Sequence, residues 1–103
     1  MTLEIWKFTL HPLVNHIEMP DHARVLSTAF QGHDLRVWAV VVPSNMPRKR
    51  GFFVAGTGWP CDDNAVGAFV GTAFSPIGLV FHVFDHGYQP VSSSPPPSNS
   101  GDK

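Results

Sequence analysis

Two short stretches carry the residue types best suited to chemistry: Arg48-Lys49-Arg50 and, a few residues on, Gly56-Thr57-Gly58-Trp59. The first gathers three of the seven basic residues and could hold an anion, the arginines in bidentate fashion. The second joins a threonine hydroxyl to a tryptophan through glycines, which tolerate positive φ or a close backbone approach. Arg48, Lys49, Arg50, Thr57 and Trp59 are therefore candidate contacts for a small anion bearing an aromatic ring, such as a nucleotide derivative. His82, between Phe81 and Val83, is a sixth candidate, able to hydrogen-bond that ligand if its strand face lines the cavity. One constraint is geometric: residues 50 and 58 would stand about 26 Å apart on a fully extended strand. They share a site only across an oligomer interface or after a sharp bend.

Other constellations are chemically quieter. Gly56-Thr57-Gly58 lacks the Lys-Ser/Thr ending of a phosphate loop and the helix of a dinucleotide fingerprint, so a bend at a strand end accounts for it. A basic tripeptide on a connection equally serves as a solvated edge that discourages strand addition. Cys61 precedes Asp62-Asp63, an electronegative setting opposite to that of an activated thiolate. His82 and His86 would lie about 13 Å apart on one strand face, too far to converge on one metal ion. His11, His16, His22 and His33 fall at strand ends and turns and read as solvated. With no nucleophile–base pair, paired-carboxylate motif or metal signature, the sequence predicts a non-enzymatic protein without a cofactor.

The elements that must position these residues are strands. Leu3–Leu10 and Val14–Met19 are bounded by Pro12 and Pro20, and Arg24–Phe30 follows a turn-like Asp21-His22-Ala23. Gln31-Gly32-His33-Asp34 is a hairpin turn with glycine available for the left-handed position. Leu35–Val42, LRVWAVVV, predicts a central strand buried on both faces, with Trp38 in the core. Phe52–Thr57, Gly67–Phe74 and Leu79–Phe84 complete the set. Asp62-Asp63-Asn64 can cap one helical turn. Short strands punctuated by Gly and Pro predict an all-β antiparallel meander, closing as a small barrel or a two-layer sandwich. One β-rich domain over residues 1–88 and a disordered Pro/Ser-rich tail over 89–103 divide the chain.

Composition narrows the function classes. The chain has 103 residues, 43% apolar and 15% charged, with a net charge of −1. That balance argues against duplex nucleic acid, whose binding relies on excess Lys and Arg. A single cysteine excludes an internal disulfide. No apolar run approaches the roughly 20 residues of a membrane helix, and a cytoplasmic protein is the expectation. Abundant apolar residues on a chain with little polar surface to spare predict a homo-oligomer.

Taken in order, Trp6, Glu18-Met19-Pro20, Trp38-Ala39-Val40-Val41, Gly56-Thr57-Gly58, Gly71-Thr72 and Leu79–Phe84 form a pattern. The chain resembles a family of small, uncharacterised proteins of tailed phages with an IWKF…EMP…WAVV…GTG…VGT…LVFHVF pattern. The likeness covers most of residues 3–86; Asp85 stands where the family often has Glu. It implies a phage-borne accessory protein, β-rich, and no particular activity. Two expectations follow: an anti-defence protein that sequesters a nucleotide-like host immune signal, or an inhibitor that covers a host defence protein. A minor structural component of the phage is a third.

Overall fold

The structure, a computed structural model, describes residues 1–90. Seven strands form: β1 (Glu4–Leu10), β2 (Leu13–Pro20), β3 (Arg24–Gln31), β4 (Asp34–Val41), β5 (Pro47–Gly56), β6 (Ala68–Phe74) and β7 (Val80–Tyr88). They make two antiparallel sheets, β1-β4-β3 and β2-β5-β7-β6, packed as a two-layer sandwich with no barrel closure. The predicted tail beyond Pro90 lies outside the described residues. Among the described residues no helix is long and apolar enough to cross a membrane.

The two-residue alternation of strands decides what each layer buries. In β4 the odd positions Leu35, Val37, Ala39 and Val41 are buried, while Arg36, Trp38 and Val40 face out. The expectation of a strand buried on both faces is therefore corrected. β4 is central in its sheet, but nothing among the described residues lies over its outer face, and Trp38 is half-buried there. In β5, Phe52 and Val54 enter the common core with Met19, Val37, Val41 and Val83. Phe53 and Ala55 are also buried, but they point to the other face.

Only β3–β4 and β6–β7 are neighbouring hairpins; between β1 and β2, β2 and β3, and β4 and β5 the chain changes sheets, and from β5 to β6 it crosses over within one sheet, where the sequence suggests a meander. β5 and β6 flank β7 and run parallel, so residues 57–67 must travel the full length of the sheet. That connection includes the expected helical turn, a 3-10 turn over Asp63–Ala65 with Asp62 at its N-cap but making no side-chain cap bond. The β3 and β6 edges close one flank of the sandwich. Gly71 makes this approach possible, because a Cβ there would lie 3.1 Å from Thr28 Cγ2. β1 and β2 remain edge strands on the other flank, with Ile5 and Val14 more than half exposed.

Candidate functional site

The structure separates the six residues expected to form one site. Arg48 and Arg50 face inward at the end of the sandwich where β2 turns into β3. Arg50 Nε and Nη2 donate to both Asp85 carboxylate oxygens, at 3.0 and 2.6 Å, and Nη1 donates to Ala23 O at 2.6 Å. Arg48 Nη1 donates to Asp21 Oδ1 at 3.1 Å and Nη2 to Gln89 O at 3.0 Å. Both guanidinium groups lie over the Tyr88 ring, 4.9 and 4.8 Å from its centroid. The Tyr88 hydroxyl donates to Pro20 O and accepts from Ala23 N–H.

Burial works to lower the Arg50 pKa, but the hydrogen bond and charge of Asp85, helped by Tyr88, leave it above its ordinary value. The guanidinium stays charged, and each of its three nitrogens donates to the protein. These two arginines lace the β2–β3 turn to β5 and β7. Lys49, on the opposite face, is exposed opposite Glu18.

Thr57, Trp59 and His82 lie at the other end of β5, but on two faces: Thr57 meets His82, while Trp59 packs against Phe81. Thr57 Oγ1 lies 2.8 Å from His82 Nε2, and Thr72 Oγ1 lies 3.0 Å from His82 Nδ1. A hydroxyl both donates and accepts, so either neutral tautomer of His82 is satisfied. The glycines divide their labour. A Cβ on Gly56 would lie 2.6 Å from Trp59 Cε2, while Gly58 has φ +89°. Gly56 admits the indole and Gly58 makes the turn. Thr57 N–H donates to Val80 O and Trp59 N–H to Gly56 O, leaving no nest of free N–H groups for an anion. Trp59 stands edge-on to Phe81, with ring centroids 5.7 Å apart.

Phe81 leads to a cavity of about 280 Å³ between the sheets at this end. Leu10, Phe30, Leu35, Val54 and Phe81 wall it, and Ile77 and Leu79 stand at its lip. Phe30 and Phe81 reach across from opposite sheets, their centroids 5.9 Å apart. Thr9, His11, His33, Asp34 and Ser75 supply the polar rim. Arg36 lies behind it, donating to Thr9 Oγ1 and, at 3.3 Å, to Asp34 Oδ2.

The rim comes from three turns, β1–β2, β3–β4 and β6–β7, which the strand directions bring to one end. Residues 1–93 match the family described as Domain of unknown function (DUF7352). The chain belongs to this family. No curated protein and no solved structure matches the chain.

Sequence reasoning missed this rim. His11 and His33 are 22 positions apart and Ser75 lies 42 further on, so only the sheet order joins them. The signal that was available is that each lies in a Gly- or Pro-bearing turn directly after a strand. Among the described residues, no three His, Cys, Asp or Glu side chains are grouped to hold a metal ion.

Proposed function

We propose that the chain is a non-catalytic binding protein whose ligand enters the mouth between the two sheets. The supporting observation is the cavity itself, with aromatic and aliphatic walls and a few converging polar groups, the usual make-up of a small-molecule site. The ligand is a small anion bearing an aromatic ring, such as a nucleotide derivative. Its ring enters between Phe30 and Phe81. Its anionic part stays at the rim near His11, His33 and Ser75, where ring N–H groups and a hydroxyl can donate to it.

Arg48 and Arg50 have a structural part in this reading, and Trp59 backs the cavity wall through Phe81. Sequestration of a host immune signal is the use that the phage-family resemblance suggests for such a site. Self-association belongs to the same proposal, because β1 presents an unpaired seven-residue edge with exposed Ile5.

Isothermal titration calorimetry against mono-, di- and cyclic nucleotides tests the reading. Binding is expected, and it weakens about five-fold in His33→Ala, the loss of roughly 1 kcal/mol that one hydrogen bond contributes. Absence of heat from every member of the panel contradicts it. A second reading, inhibition of a host protein, gains support from Ile77 and Leu79, which line the same mouth and are 75% and 52% exposed. Capture of a protein that is lost in Ile77→Asp, with no nucleotide heat, would favour it.

A further inference from the structure

The outer face of the β1-β4-β3 sheet carries a cluster that neither the mouth cavity nor the packing of the core uses. Alternation places Arg36, Trp38 and Val40 of β4 on this face. The register sets Lys7 of β1 and Ser27 of β3 directly opposite Trp38. Arg24 lies opposite Val40, one pleat along. Residues opposite one another in an antiparallel pair share a face, so Lys7, Arg24 and Arg36 surround Trp38. Lys7 and Arg24 are exposed, and their strands flank β4 about 10 Å apart.

The electrostatics of this face are unbalanced. Three of the seven basic residues gather here, on a chain whose net charge is −1. Asp34 is the acid in the cluster, 3.3 Å from Arg36 Nη2. Gln31 Oε1 accepts from both Lys7 Nζ, at 2.9 Å, and Arg36 Nε, at 3.2 Å. One neutral oxygen thus holds two cations side by side, an arrangement that opposes folding through repulsion and favours an external anion. Trp38, half-buried between these side chains, keeps its indole at an uncovered surface. Its Nε1 has no hydrogen-bond partner among the described residues and is not sealed from solvent.

We propose that this face binds single-stranded nucleic acid. Lys7, Arg24 and Arg36 contact successive phosphates, and one unpaired base stacks on Trp38. Sheet faces with a central aromatic and flanking cations recognise single strands in this way, with stacking that tolerates any base. The charge complementarity commits the face to a polyanion, and the central aromatic commits it to bases that are free to stack. A duplex presents no such base. None of Lys7, Arg24, Arg36 and Trp38 lines the mouth cavity, so this site and the small-molecule site can fail independently.

The test uses the full chain with Trp6→Phe and Trp59→Phe, which leaves Trp38 as the single tryptophan. Titration with a fluorescein-free oligothymidylate is expected to quench Trp38, with an affinity that falls as salt rises. For three phosphate contacts the slope of log K against log salt is about −2, and for one it is about −0.7. Lys7→Ala with Arg24→Ala should therefore move the slope from the first value towards the second. Both residues are exposed, so circular dichroism should show the fold unchanged. Trp38→Phe in the otherwise natural chain should weaken binding about ten-fold, the effect of reduced stacking. Absence of quenching overturns the proposal. So does a salt slope that the double variant leaves unchanged, or equal affinity for a duplex of the same length.

Discussion

Arg50→Leu separates a structural arginine from a ligand-binding one. The substitution keeps an apolar stem but removes two donors to Asp85, at 3.0 and 2.6 Å, and one to Ala23 O at 2.6 Å. It also removes the cation stacked 4.8 Å from the Tyr88 centroid. Both side chains of the ion pair are 13% exposed, so water replaces little of what is lost. Asp85 keeps one bond, accepted from Gly87 N–H at 2.8 Å. Deleting one partner of a buried pair costs about 3–5 kcal/mol, and the surviving Gly87 contact places the expectation at the low end, about 3 kcal/mol. Urea unfolding followed by far-UV circular dichroism would measure it, since a loss of that size is a large part of a small domain's stability. In a cycle with Asp85→Leu, the double variant should lose less than the two single losses combined, with a coupling of about 1–3 kcal/mol. A loss below about 1 kcal/mol, or strict additivity, would refute the reasoning and return Arg50 to the list of ligand contacts.

Gly56→Ala should cost about 1–3 kcal/mol through overpacking, because its methyl would overlap the Trp59 indole. A red shift of tryptophan emission would report the displaced ring. Phe52, 1% exposed, should lose about 3–5 kcal/mol on change to Ala. Trp38→Ala should lose less than this, about 1–2 kcal/mol, since one side of its ring already faces outward; equal losses in urea unfolding would contradict the assignment of faces. Light scattering at tens of micromolar should give a dimeric mass, and a charge on the free edge, Ile5→Lys, should lower it to that of a monomer.

Much of the fold was legible because its signals are local. The β3–β4 hairpin was readable in Gln31-Gly32-His33-Asp34, where Gly32 has φ +64°, and the β6–β7 turn in Ser75-Pro76-Ile77-Gly78. The strands themselves follow from runs such as LRVWAVVV, but composition cannot say which faces receive a covering layer. Trp38 looked like core for that reason; it packs against its own sheet and nothing stacks above it. The basic tripeptide misleads similarly. Arg48 and Arg50 alternate onto the inner face, where Asp21, Asp85 and Tyr88 await them, and none of these partners is near in sequence. Thr57 and His82 were singled out separately, yet their direct contact depends on β5 pairing with β7. The mouth cavity is assembled from three turns, and only the order of strands in two sheets brings those turns together.

The most direct test of a ligand site in the mouth is a nitrogen–proton correlation spectrum recorded while a nucleotide panel is added. At 11.3 kDa, every backbone amide can be followed individually. Shifts should concentrate at Leu10, His11, His33, Asp34, Leu79 and Phe81, with Arg48 and Arg50 at the far end undisturbed. Shifts confined to Arg48–Arg50 and Tyr88, or no shifts with any nucleotide, would contradict the account.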